Sequence, residues 1–417
     1  MRTVIVIGTR GFGAFRRDLL HDPDGVRFVG IFSTHDEPFI PAAHRDLFSR
    51  VAVLPCGKAD PTAAESSLVD VDGARRVIGE VLAAEPRRDV TLHSFDERNL
   101  LLTARLREEF GLPGPRHADI LPFRDKLIMK ELVRTAGIRV PAFGEYDAVA
   151  AAEDPARYFD RIVAEVGLPF VLKPVDGNSS DGVYRIDSAE DHRRLPAELG
   201  WAYEYEEFID STMYSVNIIS RGGLPVFAGV TEYLVNSAQV QQGRVNVDVN
   251  LIDSDARVPR MIAFGEAALD ALGRPDGASH LELFRTAADE LVFLEVAARF
   301  KGMAGVAAMQ RNYGVALVNL ALEIEGGPAS RPYDGERVYC YDGVIPKRAG
   351  TVERLVEPDI ESEYEMTWKV RPGQVIGHGE SLSDNGGVFL VWNKDYDAAY
   401  RDFRRFADYR PVVYRTN

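Results

Sequence analysis

Residues 280–302, HLELFRTAADELVFLEVAARFKG, constrain the fold of this chain more than any other stretch. Two runs with period-two alternation flank Ala287, Ala288, Asp289 and Glu290. A hairpin with those four residues as its loop pairs the strands symmetrically about the Ala288–Asp289 junction. Glu282 then faces Glu295, and His280 faces Ala297. Alternation puts His280, Glu282, Phe284, Phe293, Glu295, Ala297 and Arg299 on one face, and Leu281, Leu283, Val292, Leu294 and Val296 on the other. Two carboxylates directly opposed across a ladder repel unless a cation lies between them. A hairpin with a solvated charged face would carry the same letters. The pattern also suits Mg²⁺, which takes oxygen ligands from one or two carboxylates together with water and substrate phosphates.

Around the hairpin the chain divides by texture. Residues 3–7, 27–32, 51–54 and 90–92 are short apolar runs that read as buried parallel strands. One helix is expected after Gly8, Gly11 and Gly13, and another at 73–84, which makes an open α/β sheet of residues 1–115. Beyond Gly111, Pro113, Gly114 and Pro115 a helix at 124–136 is closed by Gly137 and blocked by Pro141. Strands at 170–173, 183–186, 202–208, 215–220 and 226–231 carry antiparallel turn signals, with helices at 260–272 and 305–322. From residue 327, short β-like runs at 343–345, 365–370 and 387–392 precede a helix at 396–406, and read as a small α+β module.

Charge decides which partners are excluded. The 417 residues hold 64 Asp plus Glu against 49 Lys plus Arg, a net charge of -15, which argues against a surface that neutralises nucleic-acid phosphates or anionic lipid. A phosphate must therefore meet a local cluster of positive groups. Cys56 and Cys340 are the only cysteines, which leaves no thiolate metal cluster and no disulfide framework. No apolar run matches a signal peptide or a membrane span, so a soluble cytoplasmic protein is expected.

Two segments could supply the positive cluster. In LPFVLKPVDGNSSDGV, residues 168–183, a strand delivers Lys173 to a loop of Gly177, Asn178, Ser179, Ser180 and Gly182, whose backbone N–H groups could close over phosphates. It is not a P-loop, because the lysine precedes the glycines and no Gly-Lys-Ser/Thr follows. An ordinary hairpin turn is the plain alternative. In FRDKLIMKEL, residues 123–132, Asp125 suits a helix cap and Lys126 sits in the first turn, where a cation opposes the helix dipole unless an anion offsets it. A solvated lysine is the alternative there. YEYEEFIDSTMYSV, residues 203–216, is an amphipathic strand entering a turn.

In order, these segments resemble the ATP-grasp superfamily: a Rossmann-like opening, an Asp-Lys helix, a Lys-Pro strand with a Ser/Gly loop, Glu-Glu-Phe-Ile, and paired glutamates with Arg299 four residues after Glu295. His-Leu-Glu followed by Glu-Val-Ala-Ala-Arg looks most like the carboxylate–amine ligases that join amino acids, including the L-amino-acid ligases that make dipeptides. The resemblance implies an ATP-grasp fold, α/β and α+β in class. Its parts would be an N-terminal Rossmann-like pre-ATP-grasp domain (1–115), a nucleotide-binding and catalytic grasp domain (116–326), and a C-terminal α+β module completing the grasp (327–417).

The resemblance also implies roles. Lys126 and Lys173 would contact the phosphates of ATP, beneath Gly177, Ser179, Ser180 and Gly182. Glu206, Glu207, Phe208 and Ile209 would hold adenine through backbone groups. Glu282 and Glu295 would bind Mg²⁺, with Mn²⁺ as a substitute, and Arg299 would act with Lys173 in catalysis by neutralising the γ-phosphate and the tetrahedral oxyanion. The γ-phosphoryl passes to a carboxylate, an amine attacks the acyl phosphate, and ADP and phosphate leave. The partners are then a small-molecule carboxylate and amine, with no nucleic acid and no membrane, and a homodimer is compatible.

Three positions depart from the family pattern. Ala297 replaces a common Asn ligand, and His280 opposite it could fill the space. Met213 stands where relatives often carry a ribose-binding Glu, and Asp181 puts a carboxylate in the glycine loop. The alternatives are an ATP-grasp carboxylase or purine-pathway ligase, a non-catalytic nucleotide-binding module, and an NAD-dependent oxidoreductase using the N-terminal glycines with Asp36 or Glu37. The last fits poorly, because the spacing is Gly-x-x-Gly-x-Gly.

Overall fold

A computed structural model describes all residues except 9, 41, 57–67, 179, 197–198, 236–239, 241–242, 303, 380–383 and 416–417. The apolar runs near the N-terminus form a parallel sheet ordered β3-β2-β1-β4, from β1 (Arg2–Ile7), β2 (Val26–Ser33), β3 (Arg50–Leu54) and β4 (Val90–His93). The helix Val71–Ala84 covers one face, capped by Asp70, whose carboxylate accepts from Gly73 N at 2.7 Å.

The helix expected after the first glycines does not form. The described residues hold only a short 3-10 turn there, Arg17–Leu19. Gly8 and Gly11 take φ of 72° and 74°, and a Cβ on Gly11 would lie 2.9 Å from Phe95 Cβ. The segment instead buries Phe12 against Phe28, Phe48 and Phe95. A dinucleotide site needs a helix N-terminus at this point, so the oxidoreductase alternative is not favoured.

A small antiparallel sheet, ordered β5-β8-β6-β7, consists of β5 (Phe143–Tyr146), β6 (Phe170–Pro174), β7 (Tyr184–Ile186) and β8 (Tyr203–Glu207). Helix Pro155–Val166 buries Tyr158, Phe159, Ile162 and Val166 against it. The largest sheet has eight strands in the order β13-β12-β9-β10-β11-β14-β18-β16. These are β9 (Thr212–Arg221), β10 (Leu224–Tyr233), β11 (Asn246–Asn250), β12 (Gly277–Arg285), β13 (Leu291–Ala297), β14 (Tyr339–Pro346), β16 (Glu363–Trp368) and β18 (Asn385–Asn393).

The residues after 327 therefore do not make a self-contained sheet. β14, β16 and β18 extend the large one, and Tyr341, Ile345, Phe389 and Val391 share a core with Val230, Val247 and Leu281. Among the described residues after 327, only β15 (Gly350–Leu355), β17 (Val375–Ile376) and β19 (Val412–Tyr414) pair apart from it. The single helix expected at 305–322 is two, Gly305–Tyr313 and Leu317–Ile324. Gly314 breaks it with φ 68°, where a Cβ would meet Arg337 Cδ at 2.8 Å. No helix among the described residues is long and apolar enough to cross a membrane.

The hairpin differs from expectation in an instructive way. Its loop runs from Thr286 to Glu290, one residue longer than expected, with Thr286 N donating to Glu290 O at 2.9 Å and Asp289 at φ 63°. Near the loop the register is shifted, Leu283 facing Phe293 and Arg285 facing Leu291. A bulge between Glu282 and Leu283 then restores the expected pairs, Glu282 with Glu295 and His280 with Ala297. The bulge also swaps faces beyond it. Phe293 joins the core of Leu281 and Leu283, whereas Val292 and Leu294 turn to the side of Phe284 and Met213, opposite to the simple alternation.

Candidate active site

Helix Lys126–Thr135 begins where Asp125 accepts from Leu127 N and Ile128 N, both at 3.0 Å, as expected of the cap. This seats Lys126 in a buried first turn, its Nζ donating to Gly177 O at 2.8 Å and 3.9 Å from Glu295. β6 brings Lys173 beside it, 2.8 Å from Glu206 and 3.4 Å from Glu295. Burial lowers the Lys126 pKa. Burial would lower that of Lys173 too, but Glu206, Glu295 and Glu204 together hold it above its usual value. Glu295 is open to the pocket on one side. Burial opposes its ionisation, yet Lys126, Lys173 and Lys130 hold its pKa down at about 2. Lys130 is fully buried and paired with Glu204 at 2.6 Å and with Glu206.

One cavity lies over these lysines, lined by Lys173, Gly177, Ser180, Phe208, Ile209 and Leu294. Gly182 takes φ 66° in the loop above it, with Tyr203 Oη 2.7 Å from where a Cβ would be. Ser179 lies outside the described residues. Asp181 is exposed at the cavity mouth. The side chains of Glu206 and Glu207 are engaged elsewhere, Glu207 by Arg139 at 2.7 Å. Their strand contributes to the cavity wall along with Phe208 and Ile209. Leu294 reaches the wall because of the bulge, which simple alternation could not show.

A second cavity shares Lys126, Ser180, Glu282 and Glu295 with the first and continues to Arg299 and Lys301. Glu282 accepts from Tyr233 Oη at 3.3 Å and lies 3.4 Å from His280 Nε2. His280 Nδ1 is 2.8 Å from Asn217 Oδ1. The Asn217 amide nitrogen donates to Ser215 and Thr231, so its oxygen is free to accept from Nδ1, and Nε2 is the ring atom that faces Glu282. Burial lowers the His280 pKa and keeps the ring neutral. Met213 is buried with Tyr233, Phe284 and Val292, an apolar contact with no polar group to offer.

Sequence reasoning missed several residues here. Arg299 Nε and Nη2 donate to Glu97 Oε2 at 2.8 and 2.6 Å, and Arg124 Nη1 donates to Glu97 Oε1 at 2.6 Å. Deeper in the cavity, Asp248 on β11 faces Asp342 on β14, and Lys301 Nζ bridges them at 2.6 and 2.8 Å. The available signal for Glu97 was its place just beyond a parallel strand, where open α/β sheets gather their ligands. For Asp248, Asp342 and Lys301 there was none.

The opposed Glu282 and Glu295 suit a divalent cation, since among the described residues no ion pair bridges the two, Lys173 and Lys126 reaching Glu295 alone. No group of three or more His, Cys, Asp or Glu among the described residues could hold a metal alone, so the remaining ligands would be phosphate oxygens and water.

No family model matches the chain. An L-arginine-specific L-amino acid ligase of Bacillus subtilis is 22% identical over 345 residues, spanning 78% of this chain and 80% of the relative. A D-alanine–D-alanine ligase of Marinobacter nauticus is 29% identical over 205 residues, 45% of this chain and 58% of the relative. Among solved structures, an L-amino acid ligase from Bacillus licheniformis aligns with a TM-score of 0.71 at 19% identity, covering 100% of this chain and 99% of that one. The fold is that of the ATP-grasp enzymes. Within that fold the chain is similar to the L-amino-acid ligases and, over a shorter stretch, to the D-alanine–D-alanine ligases.

Proposed function

We propose that the protein uses ATP to join the carboxylate of one amino acid to the amine of another through an acyl phosphate, releasing ADP and phosphate. One observation carries this reading: the opposed Glu282 and Glu295 lie between the buried lysines 126 and 173 on one side and Arg299 on the other, along connected cavities. Lys126, Lys173 and the loop of Gly177, Ser179, Ser180 and Gly182 hold the phosphates, and the backbone of Glu206, Glu207, Phe208 and Ile209 holds adenine. Glu282 and Glu295 hold Mg²⁺, or Mn²⁺ in its place, which supplies charge neutralisation to the transferring phosphoryl group.

Arg299 faces the charge that develops when the amine attacks the acyl phosphate, and Lys173 supports the phosphoryl group from the opposite side. The C–N bond forms as the C–O bond to phosphate breaks and phosphate leaves with the electron pair. His280, with its Nε2 facing Glu282, is the candidate for the space left by Ala297. Unchanged Mg²⁺ dependence in His280→Ala would remove it. We place the domains at 1–115, 116–326 and 327–417, the last sharing its sheet with the second, and expect a cytoplasmic enzyme compatible with a homodimer.

Mass spectrometry of amino-acid pairs incubated with ATP and Mg²⁺ tests the reading. A dipeptide with ADP and phosphate is expected; AMP and pyrophosphate would contradict it.

A further inference from the structure

Glu97 sits outside the machinery just described, yet it is the acceptor on which two arginines of the cavity converge. Arg299 Nε and Nη2 both donate to its Oε2, at 2.8 and 2.6 Å, and Arg299 Nη1 donates to Phe300 O at 2.7 Å. A guanidinium has five N–H donors, and these three contacts leave two of them. The two-point contact with Glu97 and the anchor on Phe300 fix the plane of the group, so the remaining donors have a set direction.

The other oxygen of Glu97 accepts from Arg124 Nη1 at 2.6 Å, and Arg124 also donates to the backbone oxygen of Asp176, just before the glycine loop. The charged groups around Glu97 are Arg299, Arg124 and Lys126. Burial alone would raise its pKa, but these three hold it below the usual value, so it is a carboxylate throughout the neutral range.

The turn that carries Glu97 is itself braced. It follows β4 after Ser94, Phe95 and Asp96 as the 3-10 turn Glu97–Asn99. Ser94 Oγ donates to Ile7 O at 2.8 Å, Asp96 N donates to Ser94 Oγ at 3.2 Å, and Asn99 Nδ2 donates to Asp96 Oδ2 at 3.3 Å. A rigid element of the parallel sheet thus reaches across to a side chain 202 positions later in the chain. Without this carboxylate, the buried Arg124 and the partly buried Arg299 would lose the acceptor they share and repel each other.

We infer that Glu97 is a positioning residue for the ligation step: from the N-terminal parallel sheet it orients Arg299, and with it Arg124, toward the reacting carboxylate and acyl phosphate. This rests on the ligase reading of the site and extends it to a part of the fold that the reading does not otherwise use. The arrangement supplies donors already aimed at developing charge, so little reorganisation is needed during reaction.

The test compares steady-state phosphate release from ATP, with Mg²⁺ and a mixture of the proteinogenic amino acids, for wild type, Glu97→Gln, Arg299→Lys and the double variant. Glu97→Gln is expected to lower kcat by about 10- to 100-fold, the usual range for a residue supporting a catalytic group, while KM for ATP stays within about twofold. In the Arg299→Lys background the same change should cost less than about threefold, because the planar fork on which Glu97 acts has gone.

Glu97→Asp keeps the charge but not the two-point reach, so its kcat should fall between wild type and Glu97→Gln. A wild-type kcat in Glu97→Gln, or an equal loss in both backgrounds, overturns the inference. So does a Glu97→Asp enzyme as slow as Glu97→Gln with both thermally destabilised to the same degree, since the glutamate would then only hold the fold together. A wild-type enzyme that releases no phosphate under any of these conditions overturns the ligase reading and this inference with it. Normal wild-type turnover with an unaffected Glu97→Gln overturns this inference alone.

Discussion

The large sheet holds two pairs of opposed carboxylates, Asp248 with Asp342 and Glu282 with Glu295, both lining the same cavity. They repel alike and are compensated differently. The aspartates share one buried ammonium, Lys301, at 2.6 and 2.8 Å. The glutamates have no such bridge. Lys173 and Lys126 approach only Glu295, at 3.4 and 3.9 Å, and Glu282 meets the neutral groups Tyr233 and His280. A like-charge pair closed by its own lysine is a structural strut. A pair left open suits a cation that arrives with a ligand.

Substitutions separate the two pairs. The largest contrast is in turnover: Glu295→Gln should slow ADP release by about a thousandfold, roughly 4 kcal/mol of barrier, with Asp248→Asn remaining within about tenfold of wild type. Arg299→Ala, which removes the guanidinium beside the open pair, should cost about a few hundredfold in kcat in the same coupled assay. In stability the order reverses. Lys301→Met leaves two buried aspartates unbridged and should lower the unfolding free energy by about 3 kcal/mol in urea titrations, whereas Glu282→Gln, which relieves repulsion, should be close to neutral.

The last contrast is in pH dependence. Burial, with Asp342 and Glu282 nearby, pushes Asp248 up to about 7 despite Lys301. A carboxyl raised in the folded state contributes stability that is present below its unfolded pKa near 4 and is lost as the pH rises to about 7. Asp248→Asn should therefore match wild type below about pH 4, gain on it between about pH 4 and 7, and keep a level advantage above that. Urea midpoints across that range check the sign.

The open pair was legible in the sequence and the closed pair was not, for physical reasons. Glu282 and Glu295 belong to one hairpin, so local periodicity locates them. Even so, the match depended on a loop one residue longer than expected and a bulge at Leu294 that offset it. Asp248 and Asp342 lie 94 positions apart on strands joined only by the sheet, and Lys301 enters from a third segment. Periodicity carries no information about such pairings. The same holds for Glu97 and Arg299. The parallel sheet was legible because buried parallel strands are short apolar runs bounded by turns. The helix after Gly8 was misjudged because aromatic packing around Phe12 outweighed the turn signal.

The most direct test of the central claim is calorimetric titration of Mg²⁺ with a non-hydrolysable ATP analogue into wild type, Glu295→Gln and Asp248→Asn. Mg²⁺-dependent binding is expected in wild type and Asp248→Asn, and its loss in Glu295→Gln. Undiminished Mg²⁺-dependent binding in Glu295→Gln, or its loss in Asp248→Asn, would contradict the account.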